Sequence, residues 1–238
     1  MNYTFDWSVL WREPNGGLII DGLRMTLYLS LSGWIGALLF GTLVGFGRTA
    51  RAMPVRVLCT AYVEILRNIP LLLQLLFWYF AFPAMLPRDI RVQLYSFGWE
   101  VDAAIVALAL YTSSRVAEHI RSGVRSVEGG VGLAALATGL SRIQATRRVI
   151  APLVFRLIAP SLTSEFLTIF KSSSVAMMIG VAETTFVSQR IGNASFRFIE
   201  ASAEATVIYF GIAGLVATLA GFIELRLRVP GLMHREAN

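Results

Sequence analysis

The chain has 238 residues, of which 55% are hydrophobic and only 15% charged, with a mean hydropathy of +0.63 and a formal charge of +6. A soluble domain carries about a quarter charged residues, so the deficit and the long apolar runs point to a membrane protein. A single cysteine, Cys59, excludes an internal disulfide, His119 and His234 form no metal-ligand cluster, and arginines scattered between apolar runs argue against a nucleic-acid surface.

Met1 to Arg12 has no basic start and carries Asp6, so it does not read as a cleaved signal peptide. A helix needs roughly 20 apolar residues to cross a bilayer core. Met25 to Phe46 is the first such run and holds no charge. A short lead-in helix is predicted over Val57 to Leu66, followed by the run Asn68 to Pro87, with Pro70 marking a kink or a break. Ala103 to Ser114 is uncharged but short and is predicted to continue through Arg115 and Glu118. Phe166 to Gln189 is interrupted by Lys171 and Glu183, and Ala205 to Ile223 is the last clean run. The fold class that follows is an all-α membrane protein, one domain over residues 1–238, with five spans at about 22–47, 57–86, 99–121, 160–189 and 204–225.

Charge fixes the expected direction. The Arg48 to Arg56 stretch has three arginines and no acid, Arg115 to Pro160 has seven arginines and two glutamates, and the tail adds Arg226, Arg228 and Arg235. The alternate segments are acidic or balanced, and arginine-rich segments face the cytoplasm. The N-terminus is therefore expected outside and the C-terminus inside.

One cytoplasmic segment, residues 121–160, is long and keeps aliphatic residues throughout. Gly129, Gly130 and Gly132 punctuate its start, and Ala134, Ala135, Ala137 and Gly139 form a small-residue patch that lets another backbone approach closely. Ser141 is placed to cap a following helix with Arg142, Arg147 and Arg148 on its exposed face. Such a short helix suits docking into a partner's groove or packing on the membrane surface, and the pattern alone leaves both open.

This segment resembles the EAA loop of ABC-importer permeases: Glu-Ala-Ala, three residues, Gly, nine residues, then Ile-x-Leu-Pro. Ala134, Ala135, Gly139, Val149 and Pro152 fall on that pattern, while Leu133 stands at the glutamate position and Ala151 at the leucine position. Tyr62 to Phe80, Ser114 to Val127, Leu162 to Val181 and the tail Arg226 to Leu232 are similar to the polar amino acid permease subfamily, most of all to glutamate/aspartate importer permeases. The resemblance implies the transmembrane domain of a type I ABC importer in the bacterial inner membrane, multi-pass, with a cytoplasmic coupling helix. It implies that Ala134, Ala135, Gly139, Leu140 and Pro152 couple to an ATPase. The implied partners are a cytoplasmic ATPase dimer holding ATP and magnesium, a second permease subunit of the same or a related kind, and an outer amino-acid-binding protein. Glutamine or a basic amino acid remains an alternative cargo, and a secondary transporter or channel subunit an alternative class.

The residues agree with that division of labour. No GxxxxGK[ST] phosphate loop is present, and no nucleophile, base and acid converge, so the chain itself is not expected to be an enzyme or to hold a cofactor or metal. Ionisable residues within spans are costly and usually paired or functional. Glu64 with Arg67, and Arg115 with Glu118, sit three apart and are expected to pair as structural ion pairs. Lys171, the one lysine, stands beside Ser172, Ser173 and Ser174 with no acid at helical spacing, although Glu165 lies within reach across a loop. The expectation is that Arg115, Lys171, Ser172 and Ser173 line the path of an anionic amino acid, with snorkelling of Lys171 to the inner surface as the competing reading.

Overall fold

The computed structural model describes residues 3–227. Arg228, His234, Arg235 and the 229–232 part of the tail motif lie outside them. The described residues are helical, with no strand among them. After a 3-10 turn at Trp7–Leu10, the longer helical stretches among the described residues follow in order: α1 (Asn15–Gly47), α2 (Met53–Asn68), α3 (Leu71–Ala84), α4 (Arg88–Ser96), α5 (Trp99–Val127), α6 (Leu133–Ala137), α7 (Arg142–Ile179), α8 (Thr184–Ser195) and α9 (Phe198–Leu227). Of these, α1, α7 and α9 are each long and apolar enough to cross a membrane, and the bent pairs α2 with α3 and α4 with α5 make up to five spans.

Helix α1 has 33 residues, about 50 Å at 1.5 Å per residue. It is apolar all round, with Tyr28, Leu31, Ile35, Leu39 and Leu43 exposed, as a membrane solvent requires. The break between α2 and α3 falls at the proline: Pro70 is extended and cannot donate a backbone hydrogen bond, and the Gln74 side-chain Nε2 donates to the Ile69 carbonyl at 3.0 Å across the new helix start. Helix α4 was not expected from the hydropathy. It meets α5 at about 93°, and the Trp99 indole and the Tyr95 hydroxyl hold α3 through the carbonyls of Trp78 and Tyr79, both at 3.0 Å.

The chain divides into two compact units. The first takes the described parts of Met1–Gly36 with Ile69–Ala109 and Leu167–Val216. Its core joins Val187, Ile191 and Ala201, with Leu18 and Ile19 packed on them. Buried Thr26 on α1 accepts from the Thr184 amide at 3.0 Å, which fixes the start of α8 against α1. The N-terminal strap is tied down by Tyr3 to Glu200, by Arg197 to the Thr4 carbonyl, and by the Asp6 amide to Glu200 at 2.9 Å.

The second unit takes Ala37–Asn68, Leu110–Phe166 and the described part of Ala217–Asn238. Here α1 meets α5 in close contact at Gly41. A Cβ added there would lie 2.7 Å from the Val116 side chain and 2.8 Å from the Ser113 carbonyl. Only a missing side chain lets the two backbones approach so closely.

The apolar run expected to reach Gln189 stops earlier. Helix α7 tightens over Ser173–Ile179 and ends at left-handed Gly180. Glu183 then opens α8 as its N-cap, accepting from the Thr185 and Phe186 amides at 2.9 and 2.8 Å. The glutamate that looked like an interruption of a span is the start signal of a separate helix.

Candidate functional site

Three groups of residues carry chemistry. The first is the small-residue segment of the second unit. Helix α6 is one short piece, Leu133–Ala137, entered through a widened turn over Glu128–Gly132. Ala135 is buried, whereas Ala134, Ala137, Thr138 and Gly139 are exposed. The patch therefore faces outward with Leu133 beside it, 63% exposed. Leu140 is half-buried and Pro152 exposed. The chain reverses at Gly139, whose φ of +86° is costly for any residue with a Cβ. Ser141 and Gln144 then form a reciprocal capping box, each side chain bonded to the other's backbone amide. The expected cap is present, and Arg142, Arg147 and Arg148 are exposed after it. The Gln144 half of the box was readable in the Ser-x-x-Gln spacing and went unread.

The second group is a charge cluster in the same unit. The locally spaced pairs exchange partners. Glu118 binds Arg48 and Arg121 and lies 3.6 Å from Arg67, while Glu64 lies 3.8 Å from Arg48. Arg115 instead donates to Glu165 at 2.7 Å, and His119 meets the other Glu165 oxygen at 3.1 Å. The helical spacing puts each predicted pair on one face, but facing helices offer better-buried partners. Glu165 side-chain exposure is 7% and that of Arg48 is 7%, so each buried charge takes the partner that compensates it most completely. Arg67, Arg115, Glu118, His119 and Glu165 line a cavity of about 290 Å³. Nothing in local spacing pointed to Arg48, His119 or Glu165 as members.

The third group surrounds Lys171 in the first unit. Lys171 is exposed and lines a cavity of about 610 Å³ together with Ser174, Thr185, Ser188, Gln189, Ser202 and Thr206. It makes no ion pair among the described residues, since Glu165 is engaged by Arg115 and His119. The neighbouring serines divide. Ser173 is buried and its hydroxyl donates to the Phe170 carbonyl at 2.7 Å, Ser172 lines a separate small apolar pocket with Leu75 and Leu108, and Ser174 lines the cavity. Tyr209 closes the polar wall by donating to Glu183 at 2.8 Å. This surface combines one cation with hydroxyl and amide groups, which suits a small zwitterion or carboxylate. Lys171 and Arg115 thus line different cavities, and Arg115 is a compensated cation while Lys171 is not.

Comparison with known proteins places the chain as a whole. Residues 37–229 match the family described as binding-protein-dependent transport system inner membrane component. The glutamine transport system permease protein GlnP of Escherichia coli (strain K12) is 34% identical over 94% of this chain and 99% of its own. The glutamate/aspartate import permease protein GltJ of the same strain is 32% identical over 98% and 99%. Among solved structures, an amino acid ABC transporter crystallised with histidines superposes with a TM-score of 0.80 at 30% identity, over 94% of this chain and 100% of that one. The MetNI methionine ABC transporter in an inward-facing form gives 0.69 at 19% identity and shares the fold.

Proposed function

The chain belongs to the family of binding-protein-dependent transport system inner membrane components, and from that premise we propose that it is the permease subunit of an ABC importer for a polar amino acid, with glutamate or aspartate as cargo. The observation that carries a carboxylate-bearing cargo is Lys171, which makes no ion pair among the described residues and faces a cavity of hydroxyl and amide groups; the acidic side chain rests on the likeness of the motifs to glutamate/aspartate permeases. Glutamine is the second reading, favoured by the 34% identity to the glutamine permease. Either cargo presents a carboxylate to the cation and hydrogen-bonding groups to the serines and threonines.

In this reading α6 is the handle on which a separate ATPase pulls. Its exposed face of Ala134, Ala137 and Gly139 admits a close backbone approach, and its short length leaves little to deform. The Gly139 turn and the capping box join the handle to α7, which continues through a widened turn at Thr146–Ile150 and past Pro160 to Lys171. The energy comes from ATP bound by the partner, the amino acid from an outer binding protein, and a second permease subunit completes the pathway. The basic segments, including the α6 region, face the cytoplasm and the N-terminus faces outward.

The test is uptake by the reconstituted complex of glutamate, aspartate, glutamine and arginine, with Lys171→Met beside the unsubstituted chain. Loss of a charge-assisted hydrogen bond costs about 1.5–3 kcal/mol, so KM for the true cargo is expected to rise on the order of tenfold or more. Unchanged affinity and rate for glutamate would remove Lys171 from the path. Preference for glutamine over both acidic amino acids would select the second reading.

A further inference from the structure

A larger cavity lies beside α6 in the second unit, about 570 Å³ in volume and separate from the charge cluster. Its floor is apolar, formed by Phe46, Val124, Leu136 and Ile150, and its rim carries Arg51, Arg142 and Arg147. All three arginines are exposed and none forms an ion pair among the described residues. Among the described side chains no acidic residue lines the cavity, and the sequence holds no Asp or Glu from Gly129 to Pro160. Three uncompensated guanidinium groups over an apolar floor select an anion that also brings hydrocarbon.

The floor runs on into an exposed apolar stripe of α1, a helix long and apolar enough to span a membrane. Leu39, Leu43 and Phe46 follow one another at helical spacing on one face of α1. The first two are 62% and 72% exposed, and the third forms the cavity floor. An acyl chain lying along that stripe ends against Phe46, with its headgroup among the arginines. A small polar anion would leave the floor unused, and a neutral lipid would leave the arginines unused.

We propose that this cavity is a binding site for one anionic phospholipid of the cytoplasmic leaflet, its phosphate held by Arg51, Arg142 and Arg147 and its upper acyl chain by Phe46 and its neighbours. The leaflet follows from the orientation given under the proposed function, and the proposal rests on that reading for its side of the membrane. The lipid lies against both the α1–α2 turn and the first turn of α7, so it braces the handle that α6 forms.

The experiment is native mass spectrometry of the assembled permease–ATPase complex, released from nanodiscs containing phosphatidylglycerol and phosphatidylcholine. Retention of phosphatidylglycerol over phosphatidylcholine is expected. Arg→Gln at 51, 142 and 147 should weaken it by about fivefold for each charge removed. Lysine at the same positions should keep it. Glycerol phosphate, the headgroup without chains, should fail to displace the lipid. Equal retention of both lipids, or full retention by the glutamine variants, overturns the proposal. Displacement by glycerol phosphate makes the site one for a small anion and also overturns it. Loss of the ATPase from the glutamine variants assigns the arginines to the ATPase contact and overturns it too. Stimulation of ATP hydrolysis by binding protein and amino acid, measured on the same preparation, reports the importer reading independently of lipid retention.

Discussion

The exchange of ion-pair partners gives the most discriminating test of the structure. Arg48 has a side chain 7% exposed and a buried Nε with no hydrogen-bond partner among the described residues. Its charge is compensated chiefly by Glu118, since Glu64 is 3.8 Å away and 60% exposed. Glu118→Gln removes that compensation and leaves a buried guanidinium. Breaking a buried pair costs about 3–5 kcal/mol, and the lower end applies because the Glu118 side chain is 25% exposed. The assay is reversible unfolding in mixed micelles of Arg48→Met, Glu118→Gln and the double variant, giving a coupling energy on the order of 2 kcal/mol. A parallel cycle on Arg115 separates local spacing from tertiary packing. Arg115 is 41% exposed, so solvent screens its bond to Glu165 and a coupling of about 0.5–1 kcal/mol is expected, still larger than its coupling to Glu118. Near-zero coupling of Arg48 to Glu118, with the larger Arg115 coupling falling on Glu118, would refute the arrangement.

Other outcomes follow from the same geometry. Gly139→Val forces a β-branched residue into a left-handed turn, at about 1–2 kcal/mol, whereas Gly139→Asn is tolerated. Transport by the valine variant should fall and that by the asparagine variant should persist, and equal transport would show that the turn is not needed. Gly41→Val drives a side chain into Val116 and the Ser113 carbonyl, and should lower stability by about 1–3 kcal/mol as read by thermal unfolding of the purified complex. A cysteine at Ala134 in a Cys59→Ser background should crosslink to the ATPase, while one at buried Ala135 should not. The reverse pattern would place the contact on the opposite face of α6.

Much of the fold was legible along the chain because it depends on local or one-dimensional properties. An uncharged run such as Met25 to Phe46 has to be a helix in lipid, since every backbone polar group needs a partner within its own segment. The Ser141 cap and the Pro70 break are set by groups a few residues away. Membership in the transport family was likewise carried by motifs that stand in sequence order, from Tyr62 to Leu232.

Hydropathy and helical spacing miss two kinds of feature: local turns that end or tighten a helix, and charge partners distant in sequence. Glu183 looked like a charge inside a span because its cap role appears only once Gly180 has turned the chain. Ser174, and not Ser172 or Ser173, opens toward Lys171 because the tightened turn of α7 alters which face each serine takes. The sequence by itself determined that this chain is a bundle of membrane helices with a basic, small-residue segment between two of them, because hydropathy, charge count and capping act locally. Only the tertiary structure decided which arginine compensates which glutamate and which cations stay free. Helical spacing limits the partners a charge can meet on its own helix, whereas desolvation selects among them from every helix packed alongside.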